Sequence, residues 1–202
     1  MKRVLSVFSY VFHPLFIPLF ALLFYLYAAD NYLVPAEKLL MIIQVVIITV
    51  LIPIAFFFLL RSMGKIESVM AKKLKERQAP LIMQAILIIV IVRQGFMAER
   101  LPDLHFFFLA VLLSTILALV FLLCKMQISL HMMGMGGLLF FVIMLSYIQH
   151  LNLLTSIAFL FLMTGFVASS RLKMGAHSET ELIIGFLCGV IPQVLLPFIF
   201  RL

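Results

Sequence analysis

The chain is dominated by apolar runs whose lengths are close to that of a bilayer-spanning helix. Seven such runs lie at about 4–28, 38–60, 80–98, 104–124, 132–149, 152–169 and 181–201. A helix needs about 20 mostly apolar residues to cross the hydrocarbon core, where its backbone groups must bond to one another. This pattern predicts an all-α, polytopic bundle of about six to seven transmembrane spans, in one integral membrane domain over residues 1–202.

The composition excludes the other common classes of protein. Of the 202 residues, 65% are hydrophobic and 11% are charged, whereas a soluble domain has about 45–50% apolar and about 25% charged residues. One soluble core of this length cannot bury such an excess. The two cysteines, Cys124 and Cys188, lie in apolar runs and indicate neither a disulfide framework nor a zinc site. The N-terminal apolar run continues to Ala29 without a clear cleavage site, so we expect a retained helix and not a signal peptide.

Polar residues are concentrated in three segments, at 61–80, 125–131 and 169–181. Two predicted spans separate the first segment from the second, and two more separate the second from the third. An even number of crossings returns the chain to the same side of the membrane. We therefore expect the three segments to lie on the same side as the N-terminus, and the three segments can form one site there.

The third segment has the most specific pattern: Ser170-Arg171, five residues, His177, three residues and Glu181. His177 and Glu181 are four apart and share one face of a helix. A carboxylate beside an imidazole selects its tautomer and raises its basicity. Arg171 offers a planar fork of donors that suits phosphate. These residues predict attack on a phosphate ester at the membrane surface.

The other two segments supply further candidates for the same chemistry. Ser129 and His131 lie in the second segment, and a second histidine can protonate a leaving alkoxide. Lys73 and Arg77 lie in the first segment, four apart and thus on one helical face. Glycines that permit close helix packing follow the second segment at positions 134, 136 and 137.

These residues resemble the type 2 phosphatidic acid phosphatase superfamily. Its motifs are, in order, a lysine, six residues and Arg-Pro; Pro-Ser-Gly-His; and Ser-Arg, five residues, His, three residues and Asp. The third motif matches here in spacing, with Glu181 in place of Asp. The second corresponds to residues 128–131, which keep Ser129 and His131. In the first, Arg77 is followed by Gln-Ala-Pro, and Lys73 is the substitute lysine. The resemblance covers about residues 67–181.

The resemblance implies a role for each of these residues. His177 would be the nucleophile that forms a phosphohistidine, Glu181 would orient it, and His131 would protonate the leaving oxygen and then activate water. The phosphoryl oxygens would be held by Lys73, Arg77, Ser129 and Arg171. No metal and no cofactor are expected. The implied substrate is a lipid phosphate or diphosphate, such as polyprenyl diphosphate, phosphatidic acid, phosphatidylglycerol phosphate or a phosphorylated lipid A.

The basic residues bear on location and partners. The N-terminus and the three polar segments contain 11 of the 15 lysines and arginines. Because these residues lie in short loops between apolar runs, membrane orientation or an anionic headgroup explains them better than nucleic acid does. The positive-inside rule places this face in the cytoplasm, whereas many bacterial relatives in the superfamily face the periplasm. We expect a multi-pass protein of the bacterial inner membrane, with the side of the site left open.

Three other functions remain open at the level of sequence. The first is a non-catalytic member of the superfamily that binds or transports an anionic lipid, and the second is a membrane scaffold subunit. The third is a proton-coupled transporter that uses His13, Arg93 and His177. For His13, which precedes Pro14 in the first apolar run, we expect a structural role because no partner is identifiable from the sequence.

Overall fold

The computed structural model describes residues 2–29, 32–65 and 74–200, and the described residues form helices and short connections without a strand. The predicted all-α class is confirmed. The elements are α1 (Lys2–Val11), α2 (Ile17–Ala28), α3 (Pro35–Val46), a π-helical turn (Ile47–Leu51), α4 (Ile52–Ser62), α5 (Leu74–Val92), α6 (Gly95–Arg100), α7 (Pro102–Leu123), α8 (Leu130–Ile148), α9 (Leu154–Lys173) and α10 (Glu179–Phe200).

Within the described residues, five helices are long and apolar enough to cross a membrane. They are the continuous helix Pro35–Ser62, made of α3, the π-helical turn and α4, and the helices α7, α8, α9 and α10. The expected count of six to seven spans is not confirmed. The run at 4–28 is divided between two shorter helices, and the run at 80–98 falls on α5, which ends at Val92.

Prolines interrupt the regular α-helix in two of the apolar runs. A proline lacks the N–H of a helical hydrogen bond, and its ring clashes with the carbonyl group four residues earlier. Before Pro14, α1 ends at Val11, so the expectation of one helix through the first run is wrong. Before Pro53, the π-helical turn absorbs the misfit and the helix continues to Ser62.

The polar segments are partly helical. Helix α5 begins at Leu74, so Arg77 lies on its first turns. Pro80, the first residue of the apolar run at 80–98, lies inside this helix. Helix α9 continues to Lys173 and therefore contains Arg171. Arg77 and Arg171, which belong to the polar segments 61–80 and 169–181, are therefore helical residues and not loop residues.

Helix α8 lies at the centre of the bundle, against α2, α7, α9 and α10. Two glycines of α10 allow this helix to approach α8 closely. A Cβ atom added at Gly185 would lie 2.5 Å from the carbonyl oxygen of Ser129, and one at Gly189 would collide with the carbonyl oxygen of Met133. Helices that meet through glycine bring their backbones into direct contact. At this contact the N–H of Ser129 donates to the carbonyl of Glu181 at 3.1 Å, so the starts of α8 and α10 are joined.

Polar contacts at the opposite end of the bundle identify its other face. The Gln149 amide at the end of α8 donates to the Asp103 carboxylate at the start of α7, at 2.5 Å. The Arg100 guanidinium at the end of α6 forms an ion pair of 2.8 Å with Glu37, at the start of α3. The described parts of the three polar segments therefore lie at the end of the bundle remote from these contacts.

Candidate active site

A glycine turn after α9 brings His177 back toward Arg171. Gly175 has φ +61°, in the left-handed region that glycine enters without strain. Its N–H donates to the carbonyl of Leu172 at 2.9 Å, and the N–H of Ala176 donates to the carbonyl of Arg171 at 3.1 Å. These two bonds form a Schellman motif, which ends a helix and reverses the chain. The five residues between Arg171 and His177 are the length of this turn.

His177 is held by Glu181 across the first turn of α10. Its Nδ1 atom lies 2.7 Å from Oε2 of Glu181, and its side chain is 3% exposed. A carboxylate accepts the Nδ1 proton, so Nε2 of the neutral ring carries a lone pair. Burial lowers the pKa of His177, the hydrogen bond that His177 donates to Glu181 raises it, and the charges of Arg171 and Arg77 lower the pKa further. These effects favour the neutral, nucleophilic ring near pH 7.

Arg171 is buried without a counter-ion among the described residues. It is 8% exposed, and its Nε atom finds no hydrogen-bond acceptor in the described part of the chain. Electrostatic interactions connect Arg171 with Arg77, His131 and His177. A buried charge is unfavourable unless an opposite charge or hydrogen bonds compensate it. The geometry therefore suits an anion that accepts from this guanidinium.

His131 lies at the start of α8, where a backbone carbonyl determines its tautomer. Its Nε2 atom lies 3.0 Å from the carbonyl oxygen of Ser9. Because a carbonyl oxygen only accepts, Nε2 carries a proton and Nδ1 remains for proton transfer. His131 interacts electrostatically with both Arg171 and His177. The structure thus brings the two histidines of the second and third segments to one end of the bundle.

The N-terminal helix forms part of this site, which the sequence analysis missed. The hydroxyl groups of Ser9 and Ser170 are 2.7 Å apart and join α1 to α9. The rings of Phe8 and Phe166 stack beside them with centroids 4.8 Å apart. His13, expected to have only a structural role, lies against the His131 ring with centroids 5.2 Å apart. The helix-breaking Pro14 was the one sequence signal that could have indicated this arrangement.

Of the remaining predicted residues, one belongs to the cluster, one caps a helix and one lies outside the described residues. Arg77 on α5 interacts electrostatically with Arg171, His177 and Glu181, and so belongs to the same cluster. Ser129 is fully buried and caps α8, its hydroxyl accepting from the N–H of Met132 at 3.4 Å. Lys73 lies outside the described residues. The catalytic and phosphate-binding roles of all seven predicted residues remain predictions.

Comparisons of the chain with protein-family models, with curated proteins and with solved structures found no match. The resemblance to the type 2 phosphatidic acid phosphatases therefore rests on the motifs alone.

A shallow pocket opens beside Arg77. Its other walls are mainly apolar and come from α5, α7 and the start of α8, including Leu81, Leu122, Ile128 and Leu130. No three His, Cys, Asp or Glu side chains of the described ranges are grouped as metal ligands would be. Within the described ranges, His131 and His177 each have one ring nitrogen that forms no hydrogen bond. The guanidinium groups of Arg77 and Arg171 and an apolar surface lie nearby.

Proposed function

We propose that this chain is a membrane phosphatase that removes phosphate from a lipid phosphate or diphosphate through a phosphohistidine, as a divergent relative of the type 2 phosphatidic acid phosphatases. The observation that carries the proposal is the buried guanidinium of Arg171, which has no acceptor among the described residues and lies in a cluster with Arg77, His131 and His177. The two guanidinium groups repel one another unless an anion lies between them.

A phosphoryl group fits the cluster because it is small, multiply charged and rich in acceptors. The planar forks of Arg77 and Arg171 can each donate two parallel bonds to its oxygens. Such donors also stabilise the charge that develops on the equatorial oxygens during transfer. Lys73 and the hydroxyl of Ser129 are assigned to the same phosphoryl group on the resemblance alone.

His177 is the proposed nucleophile. Its Nε2 lone pair attacks phosphorus while its Nδ1–H is held by Glu181. An N–P bond forms as the bond from phosphorus to the lipid oxygen breaks. The carboxylate of Glu181 stabilises the positive charge that this step places on the ring.

His131 is the proposed proton donor to the departing oxygen. Its Nε2–H is occupied by the carbonyl of Ser9, so the ring takes up a second proton on Nδ1, as an imidazolium that the anionic substrate stabilises, and transfers that proton. The same Nδ1 then takes a proton from water, and the hydroxide attacks the phosphohistidine and releases inorganic phosphate. The cycle returns both rings to their starting protonation, and no metal takes part in it.

A lipid substrate agrees with the position of the cluster. The cluster lies at the ends of α8, α9 and α10, three of the helices long enough to span a membrane. The apolar pocket beside Arg77 extends toward α7, so a headgroup phosphate at Arg77 can keep its chain in the bilayer. We place the protein in the bacterial inner membrane by extension from the resemblance.

The test is phosphate release from dioctanoyl phosphatidic acid by the purified protein in detergent with EDTA. We expect release by the natural chain, none by His177→Ala, and normal release by Lys173→Ala, an exposed cation two residues beyond Arg171. An acid-labile, base-stable phosphoryl adduct should form on the natural chain and not on His177→Ala. Full activity of His177→Ala would overturn the enzymatic proposal. Tight lipid phosphate binding without any release would favour a non-catalytic binder.

A further inference from the structure

We propose that His13, in the break between α1 and α2, is a substrate-binding residue whose Nε2–H donates to a phosphoryl oxygen. The inference rests on the proposed function, since it concerns the same anion. It extends that function to a part of the chain that lies outside the three resembling motifs. It also gives the N-terminal helix a role as one wall of the site.

The position of His13 supports this role. Its ring meets that of His131 edge to face, with centroids 5.2 Å apart and planes at 84°. It interacts electrostatically with Arg171, the buried arginine of the cluster. The ring is half-buried and so keeps an accessible part of its surface. A third imidazole therefore adjoins His131 of the second motif and the cation Arg171 of the third.

The tautomer of His13 makes its Nε2 atom a hydrogen-bond donor. The N–H of Leu15 donates to Nδ1 of His13 at 3.4 Å. A nitrogen that accepts a hydrogen bond carries no proton, so the neutral ring has its proton on Nε2. Within the described residues, Nε2 of His13 forms no hydrogen bond. The side chain thus presents an N–H donor to an acceptor that the described part of the chain does not provide.

The backbone around His13 explains how this ring is placed. Pro14 ends α1 and excludes His13 from the helical conformation, because a residue before proline avoids the α region. The hydroxyl contact between Ser9 and Ser170 and the stacked rings of Phe8 and Phe166 hold α1 against α9. The helix that precedes His13 is therefore held in place, and a fixed backbone gives a hydrogen-bond donor a defined position.

A purely packing role for His13 predicts a different response to substitution. Gln and Met have similar length and flexibility, but only Gln carries an N–H donor near the position of Nε2. A packing residue should tolerate both or neither. A phosphate ligand should tolerate Gln and not Met. The pair His13→Gln and His13→Met thus separates hydrogen bonding from the filling of space.

The matched control is His105, at the start of α7. Its ring also meets a neighbouring ring, that of Phe106, with centroids 5.8 Å apart. It lies two residues from Asp103 at the opposite end of the bundle. His105→Met therefore reports the general effect of replacing a half-buried histidine by methionine in this membrane protein.

The experiment measures two quantities in detergent for the natural chain and the three variants. One is the dissociation constant of dioctanoyl phosphatidic acid by calorimetry, with His177→Ala added to each chain so that the lipid is not consumed. The other is the KM and kcat of phosphate release, measured without that substitution. We expect His13→Met to raise the dissociation constant and KM about tenfold, the effect of losing one hydrogen bond to a charged group. His13→Gln and His105→Met should stay within about threefold of the natural chain, a difference smaller than one such bond.

Equal affinity of His13→Met and His13→Gln would overturn the inference while leaving the proposed function intact. Binding by the natural chain without phosphate release would overturn the proposed hydrolysis, and the dissociation constants would still decide the role of His13. Failure of the natural chain both to bind and to release phosphate would overturn both proposals.

Discussion

His177 and Glu181 form a hydrogen-bonded pair, with Nδ1 and Oε2 2.7 Å apart, at the start of the last helix. Two local sequence features, a glycine that ends α9 and a serine that caps α10, bring the pair together. The glycine turn at Gly175 ends α9, and the hydroxyl of Ser178 then accepts from the N–H of Glu181 at 3.3 Å and caps α10. His177 lies just before this cap and Glu181 one turn after it. The spacing of four residues becomes a contact because α10 begins between them.

Replacement of Glu181 by Gln tests this pair through pH. Burial, the larger effect, lowers the pKa of His177, whereas the hydrogen bond that His177 donates to Glu181 raises it. Loss of the carboxylate should therefore lower this pKa further. The acidic limb of the kcat profile, which reports protonation of the nucleophile, should move to lower pH, and kcat should fall about 10-fold to 100-fold as the ring loses its orientation. Phosphate release between pH 4 and pH 8 measures both effects.

The control is Glu179→Gln, which removes an exposed carboxylate from the same turn. It should leave the acidic limb and kcat unchanged. A shift of the limb to higher pH in Glu181→Gln would contradict the assignment of the pair.

Replacement of Arg171 by Met should separate function from stability. Arg171 is buried without an acceptor among the described residues, so its charge is unfavourable in the empty protein. We expect Arg171→Met to have an unchanged or higher Tm in the absence of ligand, and to lose lipid phosphate binding by about 2–5 kcal/mol. Thermal unfolding with and without dioctanoyl phosphatidic acid gives both numbers. A marked fall in Tm of the ligand-free variant would mean that Arg171 has a structural partner.

Replacement of Gly185 by Ala should separate the starts of α8 and α10. The added Cβ would lie 2.5 Å from the carbonyl oxygen of Ser129, which is too close for any backbone contact. We expect a loss of about 1–3 kcal/mol in the free energy of unfolding, typical of overpacking, together with reduced phosphate release, because His131 follows Ser129 by two residues. Urea or thermal unfolding monitored by circular dichroism measures the first effect.

Gly165→Ala provides the comparison on α9. A Cβ at Gly165 has nothing within 4 Å, and alanine favours a helix over glycine by roughly 0.5–1 kcal/mol. This variant should therefore be as stable as the natural chain or more so. Equal stability losses in both variants would show that close α8–α10 packing is not the cause.

Replacement of Gly175 tests the turn that returns the chain to Arg171. The left-handed conformation at φ +61° disfavours a β-branched residue strongly and asparagine only weakly. Gly175→Val should therefore lower the free energy of unfolding by at least 1–2 kcal/mol, an order-of-magnitude value from the left-handed penalty, and should displace His177. Gly175→Asn should keep most of both stability and phosphate release. Similar behaviour of the two variants in the unfolding and release assays would exclude a specific role of this backbone conformation.

Much of the helical architecture was predictable because local properties decide it. Apolar runs of about 20 residues predicted membrane helices, and five of the described helices have the required length and composition. Two runs behaved differently. The misfit at Pro14 ends a helix because little of the first run precedes it, whereas the misfit at Pro53 is absorbed by the π-helical turn within a longer helix. The pattern of hydrophobicity does not distinguish these two outcomes.

The amino-acid sequence alone determined the helical class, the short-range pair His177–Glu181 and the concentration of polar residues in three segments, since these depend on neighbours within a few positions. Only the tertiary structure decided that Ser9 binds His131 and that His13 lies beside it. These contacts join residues more than 100 positions apart, and they depend on the packing of α1 against α9 and on the glycine contact between α8 and α10. No local pattern encodes which helices meet, because that choice follows from the fit of whole helix surfaces.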